Sequence, residues 1–359
     1  MSETLKGSLR AMLLHDVCEE IRLEELREML GGRRAAPSFK HATPEYVRFE
    51  KPPVIGRSDS ISLPSGETLG VEVKYYDYGV VSVGFELPFE GNWESLVALA
   101  ARFVPSPELE RKAQEVVRER LQRISSVIIR PYDQWISEDY YVFILDEIEG
   151  KPSGADLLSR HGDPIARILR GETSELARSE RADTLQSSLS YYPNDLVVVG
   201  WNAALVYDTP SGADASIQIL EYANSQLLEF RHYDELLDRE LASVYASLKR
   251  RANFVARWRM GREASRLNSV TVEVTELVER ADTAIKFVSD MFAARLYRLA
   301  ANKVGVPDYK NLVNEKLKTA GDLYHFLIDE FHQSRGFVLE VMVVIILVIE
   351  LVFLFRGKS

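Results

Sequence analysis

One cysteine, Cys18, is the only thiol in this 359-residue chain. A lone cysteine excludes an intramolecular disulfide and a cysteine-cluster metal site, and it fits a reducing compartment. An export signal is also missing. The first apolar run, Ala11 to Leu14, stops at His15-Asp16 and is too short for a signal core. The large N-terminal part is therefore expected in the cytoplasm. Positive charge is in short supply: the formal net charge of −10 argues against a general nucleic-acid binder, although a local patch can oppose the average. Phosphate loops of the G-x-x-x-x-G-K-S/T type, G-x-G-x-x-G, H-E-x-x-H and G-x-S-x-G are all absent. None of the six histidines forms an i,i+4 pair, and His325 and His332 read as a polar flank of one helix. No catalytic, cofactor-binding or metal-binding residue is assigned, and the chain is not expected to be an enzyme.

What is present sorts into three styles of sequence. Up to about residue 208 the pattern mixes periods. Leu9 to Val17 reads as a strand, and Leu23 to Leu30 as a short helix stopped by Gly31-Gly32. The proline-rich residues 33–58 read as connection, with a strand at Tyr46 to Phe49. Val71, Val73 and Tyr75 alternate with Glu72 and Lys74, Asp77-Tyr78-Gly79 turns the chain, and Val81, Val83, Phe85 and Leu87 return. That is a β-hairpin with one face inward. Asn92 is placed to cap a helix through Phe103, Ser106-Pro107 starts another to about Arg123, and Tyr140 to Ile148 is a buried strand by content. A polar helical stretch (Asp163 to Ser188) and strands at Leu196 to Gly200 and Ala203 to Tyr207 follow. The expected domain, 1–208, is α+β: a mostly antiparallel sheet with helices on one face.

The motif PSGAD occurs twice, at Pro152 to Asp156 and Pro210 to Asp214. Amides at a helix N-terminus can hold an anion. Proline, serine, glycine and aspartate are also what any strand-to-helix turn uses, and that plainer reading is preferred.

No proline occurs between Pro210 and Pro307. Residues 209–336 are expected to form a rod of three helices: A from Ala213 to about Met260, a break near Gly261 to Asn268, B from Ser269 to Lys303, and C from Asp308. On B, Val270, Val274, Leu277, Ala281, Ala284, Val288 and Met291 take coiled-coil spacing. Helix C repeats it at Val313, Leu317, Ala320, Tyr324, Leu327 and Phe331. Glu229, Asp234, Glu235, Asp238 and Glu240, with His232, read as a solvated acidic face of helix A.

Phe337 to Phe355 is apolar at every position except Glu340 and Glu350. At about 1.5 Å per residue it just covers a hydrocarbon core of roughly 30 Å, so residues 337–355 read as a single transmembrane helix continuous with C, and 356–359 as a short polar tail. Two antiparallel steps bring the A–B tip near the height where C meets the bilayer. That tip is basic: Lys249, Arg250, Arg251, Arg257, Arg259, Arg262 and Arg266, with Trp258 among them. Such a tract suits anionic lipid headgroups; a solvated turn, or contact with nucleic acid or a ribosome, is the lesser alternative. Glu340 and Glu350 fall on one side of the helix, away from the seam, where they meet a second copy or simply snorkel.

Leu339-Glu340, an aliphatic block and Ile349-Glu350 together resemble the C-terminal signature of the domain of unknown function 155 family, also called the required for meiotic nuclear division family. Tyr76-Asp-Tyr-Gly-Val-Val81 is similar to its hairpin, and Leu220 to Asp238 with Arg266-Leu-Asn268 to its long-helix region. The resemblance implies a membrane-anchored protein without an established enzymatic activity, whose eukaryotic relatives are associated with mitochondria and organelle translation. The expected function is a tail-anchored membrane scaffold. It would hold a cytosolic protein partner at the bilayer as a homo-oligomer. The alternatives are an enzyme with a scattered site in the α+β domain, or an oligomer acting through Glu340 and Glu350.

Overall fold

The structure, a computed structural model, describes residues 3–30, 47–49, 52–104, 107–249, 254–283, 285–287 and 291–356. In chain order these form β1 (Leu5–Ile21), α1 (Leu23–Met29), β2 (Val47–Phe49), β3 (Val54–Ser62), β4 (Thr68–Tyr75) and β5 (Val80–Gly91). Next come α2 (Trp93–Phe103), α3 (Pro107–Arg123), β6 (Ile128–Ile148), α4 (Gly154–Arg170), α5 (Arg178–Gln186), β7 (Ser188–Leu189), β8 (Leu196–Val199) and β9 (Ala203–Tyr207). The remainder is α6 (Pro210–Lys249), α7 (Phe254–Thr283), β10 (Ile285–Phe287), α8 (Met291–Val304) and α9 (Val306–Arg356).

The main sheet has the order β3-β4-β5-β1-β6-β9-β8-β7, and β2 pairs separately with β10. Every junction is antiparallel except β6–β9, which is parallel. The antiparallel α+β expectation therefore holds. The hairpin falls where alternation put it, with Tyr75 opposite Val81. Its turn needs glycine: Gly79 has φ +92°, and a Cβ there would lie 1.7 Å from the Cys18 carbonyl oxygen.

The sheet has two different faces, one for each parity of its strands. Leu9, Ala11, Leu13, Val73, Val83, Phe85, Tyr141, Phe143 and Leu205 belong to one apolar core, together with Leu96, Ala100, Ala113, Val117, Ile165 and Leu169 of α2, α3 and α4. The opposite parity brings Asp16, Lys74 and Ser82 onto the N-terminal part of α6, through side-chain contacts to His232 and Glu221. Helices thus cover both faces, not one. The single-face expectation failed because the polar residues of β4 and α6 were read as facing water.

Other boundaries moved for local reasons. The polar stretch after β6 is two helices: α4 ends at Gly171, whose φ of +64° caps it, and α5 follows. The expected break at Gly261 to Asn268 is continuous α7, and α6 ends earlier, at Lys249. Helix B is not continuous either, because Ile285–Phe287 pairs as a strand with β2. Lys286 interrupts an apolar pair there, a period-two signal hidden inside coiled-coil spacing.

The chain divides into two compact units: Met1–His232 with Arg280–Tyr309, and Tyr233–Glu279 with Lys310–Ser359. In the second unit Leu241 and Val244 of α6, Ala264 and Leu267 of α7, and Ala320 and Leu327 of α9 form one core. Of the seam expected on helix C, Val313, Ala320 and Leu327 are buried, whereas Leu317, Tyr324 and Phe331 are half-buried. Lys316 pairs with Asp234 at 2.6 Å and Asp238 at 2.7 Å, and Arg266 with Glu240 at 2.7 Å.

Helix α9 continues unbroken to Arg356. Among the described residues, no helix is long and apolar enough to cross a membrane. The described side chains of its apolar run extend only from Glu340 to Val352. That is roughly 20 Å at 1.5 Å per residue, short of a span; the side chains of Phe337, Val338, Leu339, Phe353, Leu354 and Phe355 lie outside the described residues.

Candidate functional site

Polar side chains buried in a helix–sheet interface cost free energy unless each finds a partner. The interface between α6 and the sheet contains many. Gln218, Glu221, Ser225, Glu229 and His232 are spaced three or four residues apart along one stripe of α6, and all are buried. Facing them are Lys74, Ser82 and Asp16, buried as well. The spacing that would normally bury leucines here buries charge.

Most of these groups are paired. Lys74 Nζ donates to Glu221 Oε2 at 2.5 Å, and Ser82 Oγ donates to Glu221 Oε1 at 2.6 Å. Tyr78 Oη and Ser225 Oγ share a hydrogen bond of 2.8 Å, while Ser225 Oγ also donates to the Tyr222 carbonyl. Gln226 Nε2 donates to Tyr222 Oη at 2.9 Å, and Tyr297 of α8 donates to Gln226 Oε1. Further along, Asp16 Oδ2 lies 2.7 Å from His232 Nδ1, without an aligned hydrogen bond, and Tyr132 stacks on the His232 ring at 4.4 Å. Burial pushes the Asp16 carboxyl well above the usual carboxylate range. Its chain neighbour His15 points to the apolar core, edge-on to Trp135, and burial brings its imidazole down to about 4.

One end of this layer opens into a cavity of about 450 Å³ over β1, β4 and β5. Lys74 and Glu221 form its floor, and Arg10, Glu72, Glu86 and Ser60 line it. Arg10 reaches Glu86 at 3.4 Å and Asp214 at 3.9 Å, and burial raises the Asp214 carboxyl. Such a site can exchange its internal ion pairs for those of a polar ligand. It does not present an activated thiol: Cys18 is fully buried, and burial pushes its thiol far up, keeping it protonated.

The residues singled out in the sequence lie elsewhere. Arg250 and Arg251 are outside the described residues, as are the side chains of Lys249, Arg257, Trp258 and Arg259. Arg262 is exposed, and Arg266 is tied to Glu240. Glu340 and Glu350 are exposed on α9. Among the described residues, no group of three or more histidine, cysteine, aspartate or glutamate side chains is arranged to hold a metal ion. The acidic tract of α6 was misread in part. Glu235 and Asp238 are exposed, but Glu229, His232 and Glu240 are buried.

Fold and layer together define a class: an α+β domain whose sheet is roofed, on one side, by a long helix that buries a stripe of charged and polar side chains among apolar ones such as Leu14, Val142 and Leu220. The chain belongs to the family of the N-terminal domain of uncharacterized protein MJ0711, whose family model matches residues 6–214. It is 18% identical over 215 residues to uncharacterized protein MJ0711 of Methanocaldococcus jannaschii, an alignment covering 60% of this chain and 65% of that protein. The chain thus spans a little under two thirds of that relative's length. No solved structure matches. These findings replace the resemblance to the domain of unknown function 155 family. The match ends at 214, so the Glu-punctuated C-terminal run that carried the resemblance lies outside it. The Tyr-Gly of the hairpin has a local cause instead, the close approach of Gly79 to Cys18.

Proposed function

We propose that this protein is a membrane-attached scaffold, anchored through the apolar end of α9 with the sheet unit on the cytoplasmic side. The reading rests on one observation. Val341 to Ile349, Leu351 and Val352 are all large apolar residues, and all are 41–59% exposed on a continuous helix. Water is a poor solvent for such a surface, and patches of this kind mark membrane or protein contacts. The second unit supplies support: a Cβ built on Gly261 would lie 3.2 Å from the ring of Phe331. The start of α7 at Phe254 is about 10 Å further along, level with the first residues of the apolar run. The basic sequence between α6 and α7 would then meet headgroups where α9 enters the bilayer, and Glu340 and Glu350 would meet their counterparts in a second copy. In this reading the sheet unit binds a protein partner and carries no reaction of its own.

The test is extraction. The full chain should stay in the membrane pellet through alkaline carbonate and leave it with detergent. Replacing Val344, Ile346 and Val348 by Asp should release it. A native chain found in the supernatant would end the proposal.

A second reading, an enzyme with its site in the sheet unit, is favoured by the Lys74–Glu221–Ser82 cluster at a cavity floor. Turnover of any substrate that Lys74→Met abolishes without unfolding the chain would move the balance to it.

A further inference from the structure

The first PSGAD turn packs on the loop between β7 and β8, and the second shares a cavity with that loop. In the first, the Gly154 amide donates to the Pro193 carbonyl at 2.8 Å, and a Cβ on Gly154 would lie 2.4 Å from the Asp195 carbonyl oxygen. In the second, a Cβ on Gly212 would lie 2.1 Å from Asp208 Oδ2. The anion at the start of α6 is thus the chain's own: Asp208 Oδ1 accepts the Thr209 amide at 2.6 Å. Between the second turn and the β7–β8 turn lies a cavity of about 440 Å³, lined by Ser211 and Gly212 on one side and Tyr191, Tyr192 and Asp195 on the other.

Three aromatic rings form its walls. Tyr191 and Tyr192, on the turn between β7 and β8, meet at 86° with centroids 4.7 Å apart. Phe292 of α8 meets Tyr191 at 72° and 5.6 Å. The corner is fixed from behind, because Asp195, 6% exposed, accepts the Tyr191 and Tyr192 amides through its two carboxyl oxygens, each at 2.7 Å. Tyr191 and Tyr192 nevertheless remain 63% and 62% exposed, so ring surface is left for a ligand. Asp195 and Asp208 both line the cavity, and among the described residues no lysine or arginine does. Ring faces and carboxylates share one preference, for positive charge.

We propose that this corner binds an organic cation, an alkylammonium group seated against Tyr191, Tyr192 and Phe292 with Asp195 and Asp208 supplying the countercharge. The absence of cations from the lining disfavours phosphates and carboxylic acids. The volume lies in the range of small-ligand pockets and admits a head group with a short chain. An ammonium group of this kind belongs either to a free quaternary amine or to a lysine side chain, and the two are separated by the probes below.

The experiment uses the full chain in maltoside micelles, which carry no ammonium group, and titrates choline by calorimetry or saturation-transfer NMR. Its neutral isostere, 3,3-dimethylbutan-1-ol, and N-acetyl-lysine methylamide are the comparison probes. Choline or the lysine derivative should bind at least about tenfold more tightly than the neutral alcohol, since only the charge differs from choline. The better of the two cations identifies the source. Tyr192→Leu, which keeps bulk but loses the ring face, should weaken the cation about tenfold. Asp208→Asn, which can still accept the Thr209 amide through its side-chain oxygen, should weaken it several-fold. Unchanged circular dichroism in both variants excludes loss of fold as the cause. Equal affinity for alcohol and cation, or no saturable binding of any probe up to about 50 mM, would overturn the proposal.

Discussion

The pairing of Lys74 with Glu221 offers a direct test of the charged layer. Their side chains are 8% and 3% exposed, and their 2.5 Å contact joins β4 to α6. If Glu221 becomes Leu, Lys74 keeps the more exposed Glu72, 3.6 Å away on its own strand, as its ion-pair partner among the described residues, and Ser82 loses its acceptor. Removing one partner of a buried pair costs roughly 3–5 kcal/mol, because a charge is left without compensation. Lys74→Met should cost less, about 2–4 kcal/mol, since Ser82 still donates to Glu221. The double variant Lys74→Met/Glu221→Leu removes both charges and fills the space with apolar atoms. It should fall within about 1 kcal/mol of the native chain, giving a coupling of several kcal/mol. Urea denaturation of the full chain in detergent, followed by the near-ultraviolet signal of the tyrosine-rich interface, reads all four proteins. Two single variants each costing under about 1 kcal/mol, or costs that simply add, would show that the pair is solvated and the layer argument wrong.

Three further outcomes are expected. The His15 imidazole titrates near 6.5 when unfolded and near 4 when folded, so the unfolded chain holds the extra proton in that window; stability should rise with pH from 4 to 6.5 by about 3 kcal/mol, and His15→Phe should flatten that part of a denaturation-versus-pH profile. Gly79→Ala should cost more than about 2 kcal/mol in thermal melts, because both φ and the Cys18 carbonyl oppose a side chain there. Exchanging Arg257, Arg259 and Arg262 for Gln should reduce binding of the full chain to anionic vesicles at low salt, and unaltered binding would remove headgroup recognition from the scaffold proposal.

How much of this was legible depended on whether a residue's neighbours and its fate agreed. The β4–β5 hairpin was plain because Val71, Val73 and Tyr75 alternate with polar residues, and the Asn92 cap because its side chain does what its position implies, accepting the Ser95 amide at 2.9 Å. The first half of β6 was invisible, since Pro131 and Asp133 speak against a strand; the register with β1 shifts there, between Asp16 and Cys18. The roof of the sheet was hidden more deeply. Glu221, Ser225, Glu229 and His232 look like a solvated helix face, and only partners about 140 residues away, Ser82 at 139 and Lys74 at 147, make them interior. Their spacing of three and four was the available signal, had it been scored for polar residues as it was for apolar ones. The aromatic corner left less trace, because Phe292 reaches it from α8, and the coiled-coil spacing concealed the separation of α8 from α7 by β10.

The division of the chain also carries a consequence for biogenesis. Residues 280–309 return to the first unit after an excursion of 233–279 through the second. During synthesis the ribosome therefore delivers the whole sheet, then a helical hairpin belonging to another body, before α8 emerges to add Tyr297 to the network around Gln226. The nascent first unit must wait, with that network incomplete, while the hairpin is translated. Helix α9, with its apolar end, begins at Val306, so release of the sticky segment and completion of the first unit fall almost together. A chain cut anywhere between 233 and 309 would lose both the apolar end of α9 and part of the sheet unit, and its aggregation would report on the order of assembly rather than on the stability of either body.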